Sequence, residues 1–330
     1  MLPTLGRNTH PKICTYSTKS IVSSSGSHRK QNARSCWLLF YTTMEVDTVK
    51  KEKNTPIRAA LYVRVSGEEQ KITGLSLEAQ QERLEKYAKE KGVTLTAGYG
   101  PHFNESLSSS EPNTQKQAIS FWKETLRKLK LMDIHIVGGA LYGYWPVDYS
   151  KPFDKKRDLE NSIKNMKIIS QYAEEYDIMM GMEVLNRFEG YMLNTCDEAL
   201  AYVEEVGSSN VGVMLDTFHM NIEEDNIAAA IRKAGDRLYH FHIGEGNRKV
   251  PGKGMLPWNE IGQALRDINY QHAAVMEPFV MQGGTVGHDI KIWRDIIGNC
   301  SEVTLDMDAQ SALHFVKHVF EAVSYTHLRA

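Results

Sequence analysis

Residues 180–189 read MGMEVLNRFE: an apolar run closes on a carboxylate, Glu183, and a second carboxylate, Glu189, follows six residues later behind Asn186 and Arg187. A parallel strand covered on both faces reads as a continuous apolar run, so an acid at its end marks the rim of the sheet. The pattern repeats downstream. VGVMLD ends at Asp216, LYHFHIGE carries His240 and His242, and AAVMEPF delivers Glu277. From Glu183, the groups Asp216, His242 and Glu277 follow at intervals of 33, 26 and 35 residues, room for one strand and one helix each time. Regular βα units with functional groups at strand C-termini predict a TIM-type (β/α)8 barrel, an α/β fold whose active sites lie on that face.

At 330 residues the chain has room for one such barrel, of about 250 residues, plus an appendage. A hydrophobic share of 42% and a charged share of 24% are those of a soluble globular protein. A net charge of -2 gives no general pull toward nucleic acid or anionic membrane. Cys14, Cys36, Cys196 and Cys300 form no CxxC pair, which argues against a disulfide framework or zinc ribbon and for a reducing, cytoplasmic setting. The apolar run at 37–41 is far too short to cross a bilayer.

Residues 1–43 contain no Asp or Glu, are rich in Ser, Thr, Lys and Arg, and have no apolar period. An organellar transit peptide shares that composition, but no Arg-spaced amphipathic helix accompanies it here. We read 1–55 as a disordered tail, with Met44 a plausible true start. A strand, IRAALYVRVS, and an amphipathic helix over about 76–91 follow. The residues YVRVS, EEQ and LSLEAQ resemble the start of the serine recombinase catalytic domain, in which Ser66 would be the DNA-attacking nucleophile and Arg64 its assistant. That resemblance covers about 57–92, a βα fragment within 56–92. The remaining arginines, the long dimer helix and a DNA-binding segment do not follow it.

From residue 93 the text changes. EVLNRFE, VMLDTFHMNIEED, HFHIGEGNRKVPGKG, MEPFV and GGTVG stand in order and together resemble the ketose 3-epimerases of the D-tagatose and D-psicose (D-allulose) type, over about 93–322. The resemblance implies a xylose isomerase-like TIM barrel. It also implies a metal held by Glu183, Asp216, His242 and Glu277, and substrate contacts at Glu189, His219 and Arg248. Family members open with two further βα units that are missing here. Strands ending near Ser66, Gly98, Gly138, Glu183, Asp216, Ile243 and Glu277 number seven, so the barrel is expected to be incomplete at its N-terminal units and its activity impaired. Residues 323–330, VSYTHLRA, resemble translated adapter sequence. The whole reads as a chimera with an epimerase body.

Three carboxylates and one imidazole favour Mn2+, or Co2+ or Mg2+, over Zn2+, which prefers more His or Cys. Epimerisation at C3 of a 2-ketose removes a weakly acidic proton and returns one to the opposite face through an enediolate. It needs a cation on the sugar oxygens and two bases on opposite faces, for which Glu183 and Glu277 fit. An isolated strand-end acid is more often a salt-bridge partner or a helix cap; four in register are not isolated. His240 reads as a packed barrel residue. Trp145 and Tyr142 fit either sugar stacking or core packing. GGTVG at 283–287 reads as a turn before a helix rather than a phosphate cradle. The expected partner is a free ketohexose, with no membrane or nucleic acid, and a homodimer or homotetramer if the barrel is intact. The alternatives are a non-functional fusion and a recombinase fragment acting on DNA. An apurinic endonuclease on a related barrel would need more His ligands and a basic groove.

Overall fold

The computed structural model describes residues 12–14, 39–42 and 94–321. Six strands form the body: β3 (Leu95–Gly98), β4 (Ile136–Gly139), β5 (Met179–Glu183), β6 (Val211–Asp216), β7 (Leu238–Ile243) and β8 (Ala273–Met276). Neighbours in sequence are neighbours in space, and all five pairings are parallel. Every residue of β3, β4, β6, β7 and β8 is buried, as expected where helices cover the outside and the curled sheet packs on itself inside. The curl is visible in two glycines. A methyl on Gly138 would lie 2.4 Å from Met214 Sδ and 3.4 Å from His240 Cδ2, and one on Gly181 3.2 Å from Met214 Cβ. Side chains of β6 and β7 therefore fill space that β4 and β5 leave open.

The six strand ends expected between Gly98 and Glu277 are present, Glu277 lying one residue past β8. The seventh, near Ser66, lies outside the described residues, as do Arg64, the helix over 76–91, the rest of 56–92 and the stretch 323–330. Within the stretch read as a tail, two short segments are strands. β1 (Lys12–Cys14) pairs parallel with β8, and β2 (Leu39–Thr42) pairs antiparallel with β3. Neither follows an apolar alternation that would have announced it. Among the described residues β1 and β2 do not pair with each other, so the eight strands form an open arc rather than a closed ring.

Helices α1 (Pro112–Leu131), α2 (Lys155–Tyr176), α3 (Cys196–Val206), α4 (Thr217–Glu223), α5 (Ile227–Ala234), α6 (Trp258–Asp267), α7 (Gly284–Asp289) and α8 (Glu302–Glu321) complete the chain. Their ends carry local signals. Asp154 and Thr195 cap α2 and α3 by accepting from Arg157 N and Glu198 N, while Asp177 and Gly207 close the two helices in the left-handed region. Trp122 on α1, Phe241 on β7 and Phe320 on α8 are fully buried, each contributing about 1.5–3 kcal/mol.

The contact of α6 with α8 is close enough to test. Arg266 donates to Val319 O at 2.8 Å and Phe320 O at 2.9 Å, satisfying carbonyls that the helix end leaves open. A Cβ on Gly262 would sit 2.8 Å from Val319 O, which is backbone and cannot swing aside. Gly262→Ala gains about 1 kcal/mol of helix propensity but forces α8 outward at a cost of about 1–3 kcal/mol. The variant should unfold at lower urea concentration than the parent; a higher midpoint would show that α8 moves without cost.

Candidate active site

Asp216 ends β6 and at the same time starts α4. Its Oδ1 accepts from Phe218 N at 2.7 Å, capping the helix, and that leaves Oδ2 turned into the arc. Oδ2 is buried and accepts no hydrogen bond among the described residues. Arg248 Nη1 lies 3.6 Å from it and His242 Nδ1 4.0 Å. Glu183 at the end of β5, His242 on β7 and Glu277 just past β8 complete the group: one ligand atom from each of the four lies within 4.8 Å of the others. His242 Nδ1 is 3.7 Å from Glu183 Oε1 and 3.4 Å from Glu277 Oε2. The donor set and this crowding fit a divalent cation, since three buried carboxylates outnumber the charges of His242 and Arg248.

The electrostatics show the same excess. Burial, with Glu277 and Asp216 nearby, pushes the Glu183 carboxyl up to about 8 despite His242. Burial also raises Asp216, to about 6, with Arg248 opposing. For Glu277 burial is outweighed by His242 and by Arg248 Nη1 at 3.4 Å, which bring it down to about 2. Burial works against a charged His242, but Glu277, Glu183 and Asp216 lift it to about 9. The two glutamates thus differ chiefly because His242 hydrogen-bonds Glu277, which Arg248 also pairs directly, whereas Arg248 acts on Glu183 without a direct pair.

Arg248 comes from the loop after β7, in a left-handed conformation at φ 61, and is 5% exposed. Its guanidinium stacks 3.6 Å over the Phe218 ring and pairs with Glu189 Oε1 at 3.3 Å as well as with Glu277. Glu189 in turn accepts from Asn186 Nδ2 at 3.1 Å. Asn186 also donates through its backbone N to His219 Nδ1 at 3.2 Å, so the ring carries its proton on Nε2, which points toward Asp216 Oδ2 at 3.9 Å. Burial and Arg248 hold His219 well below the ordinary imidazole value, neutral and with one N–H to donate.

These residues border one cavity. Glu183, Glu189, His219, His242, Arg248 and Glu277 supply its polar side, and Tyr99, Trp145, Leu185, Phe279, Val286 and Ile290 an apolar one. Seven residues proposed from sequence therefore meet in one place. The comparisons with known proteins agree with that geometry. Residues 61–298 match the family of xylose isomerase-like TIM barrels. Over 237 residues the chain is 63% identical to the D-psicose 3-epimerase of Enterocloster bolteae, a match that takes in 72% of this chain and 79% of that protein. To the D-psicose 3-epimerase of Agrobacterium fabrum it is 50% identical over 242 residues, 73% of this chain and 84% of the other. A crystal structure of a D-psicose 3-epimerase in the presence of D-fructose superposes with a TM-score of 0.72 at 49% identity, covering 76% of this chain and 86% of that one.

The chain belongs to the ketose 3-epimerases. Its family match begins at residue 61 and so takes in most of the stretch that resembles a recombinase. Among the side chains that sequence left open, this epimerase separates Trp145 from Tyr142. Trp145 lines the cavity, whereas the Tyr142 hydroxyl donates to the Glu183 carbonyl at 2.9 Å and steadies the end of β5. His240 is fully buried, 5.2 Å ring to ring from His242 and outside the four-residue cluster. Val286 of the GGTVG segment is part of the apolar wall. Asn186 joins Glu189 to His219 through a turn that no local period announces.

Proposed function

We propose that the enzyme epimerises free ketohexoses at C3, interconverting D-psicose with D-fructose and acting also on D-tagatose, with Glu183 and Glu277 as the two bases. The observation that carries this is the pair of glutamates at the ends of β5 and β8, with β6 and β7 between them in the arc, brought to within ligand distance of one site with Asp216 and His242. Glu183, Asp216, His242 and Glu277 would hold one divalent ion, Mn2+ or else Co2+ or Mg2+. When bound, that ion supplies Lewis-acid stabilisation of negative charge on the sugar oxygens.

The chain's own groups do the rest. Glu183 and Glu277 would face C3 from opposite sides, one taking the C3 proton and the other returning a proton to the opposite face. Arg248 and the Nε2–H of His219 are placed to hold sugar oxygens, and Glu189 to accept from a hydroxyl. Trp145, Phe279, Val286 and Ile290 keep bulk water from the reacting carbon. In D2O, turnover should place deuterium at C3 and nowhere else. Label at C1 would indicate aldose–ketose isomerisation and overturn the assignment.

A second test needs no turnover. In protein stripped by a chelator, Glu183 at about 8 and His242 at about 9 both carry a proton at pH 7. Cation uptake requires both groups deprotonated and should expel about two protons per ion at that pH. Release should fall toward zero as pH rises through 9, and affinity should climb over the same range. Calorimetry in buffers of different ionisation enthalpy reads the number; uptake that releases none at pH 7 would show that Glu183 and His242 are already deprotonated in the stripped protein.

A further inference from the structure

The loop after β7 contains an acid that takes no part in the cavity. Glu245 is fully buried, and its carboxylate faces away from the four-residue cluster into the loop's own interior. Gly252 N and Trp258 Nε1 both donate to its Oε1 at 2.7 Å, and Leu256 N donates to Oε2 at 3.3 Å. A Cβ on Gly254 would lie 2.2 Å from Oε2, so the chain wraps the carboxylate as closely as a glycine permits. The same residue closes a turn through its backbone. Glu245 N donates to Lys249 O, and Arg248 N donates to Glu245 O, both at 2.9 Å. Arg248 is held inside that turn at φ 61, where a residue with a side chain persists only if its surroundings enforce it.

We propose that Glu245 is a positioning residue, whose buried carboxylate gathers residues 252–258 around the turn so that Arg248 stays directed at Glu189 and Glu277. For what Arg248 then does to a ketose, this rests on the function proposed above. Without the acceptor, three donors lose their partner, two of them on the buried Leu256 and Trp258, and the loop must open to hydrate them. Arg248 then relaxes to negative φ and its guanidinium leaves the cavity. Glutamine is a partial substitute: its carbonyl serves Gly252 and Trp258, but its amide nitrogen meets Leu256 N donor to donor.

Manganese-loaded Glu245→Gln and Glu245→Ala should raise KM for D-psicose about tenfold and about a hundredfold respectively, with kcat changed less, since Arg248 grips ground state and transition state alike. Trp258→Phe, which removes one donor and keeps the ring packing, should raise KM about threefold and covers the case in which Glu245→Ala fails to fold. In an Arg248→Ala background, Glu245→Gln should add less than about twofold, because the residue it positions is already gone. An equal factor in both backgrounds, or an unchanged KM, overturns the proposal. Trypsin reads the loop without turnover: cleavage after Lys249 and Lys253 should be about tenfold faster in Glu245→Gln than in the parent, and equal rates also overturn it. If the parent itself does not turn over D-psicose, the functional reading fails, and the tryptic rates alone decide the role of Glu245 in holding the loop.

Discussion

Glu277→Gln and Glu183→Gln should each lower the rate of C3 epimerisation by about four orders of magnitude, the upper end of what a positioned acid–base group contributes. Loss of rate alone would not show that there are two bases, because each glutamate also belongs to the candidate ligand set. The informative readout is proton washout. A glutamine at 277 leaves Glu183 able to remove the C3 proton that faces it, so Glu277→Gln should still exchange C3–H with solvent in one ketose while converting almost none of it. Glu183→Gln should do the same with the C3 epimer. A glutamine oxygen remains a neutral ligand, so both variants should still take up about one manganese per chain. If both variants exchanged the same epimer, or neither exchanged any while keeping their metal, the two-base arrangement would be refuted.

The parts of the fold that could be read from sequence are those where one residue's chemistry depends on its own strand. β5 and β6 are apolar runs ending in an acid, and a parallel barrel puts such an end at its working face. The long helix α2 begins behind Asp154, a residue type that favours the N-cap, which accepts from Arg157 N. Residues whose role depends on a loop's path were not legible. Asn186 and Glu245 are ordinary polar residues in sequence, and they matter because the backbone returns to them, from Phe188 and His219 in one case and from Gly252, Leu256 and Trp258 in the other. Trp145 and Tyr142 are three residues apart in one irregular segment, where no period tells inward from outward. β1 and β2 have three and four residues, too few for an alternation to be recognised, and their pairing is with strands distant in the chain.

Asp216→Asn should weaken manganese binding by more than about a hundredfold, beyond what loss of a group behind the ligands usually costs, and should do so without weakening the stripped protein. The two oxygens of Asp216 have separate tasks. Oδ1 caps α4 through Phe218 N, a contact that Asn keeps and whose removal in Asp216→Ala costs about 1 kcal/mol. Oδ2 faces Arg248 and His242 with no hydrogen bond among the described residues. An amide nitrogen there presents N–H groups where a cation needs a lone pair. The change also removes one of three crowded, buried carboxylates, the crowding that helps raise Glu183. Chelated Asp216→Asn should therefore melt at or above the temperature of the chelated parent, and chelated Asp216→Ala below it. With manganese at about a thousand times the parent's dissociation constant the parent gains about 4 kcal/mol, and both variants should gain less than about 1.4 kcal/mol under the same conditions. A manganese-dependent rise in melting temperature in Asp216→Asn equal to the parent's would mean that the ion is held without Asp216, and the ligand set would have to be drawn from the remaining three residues and Glu189.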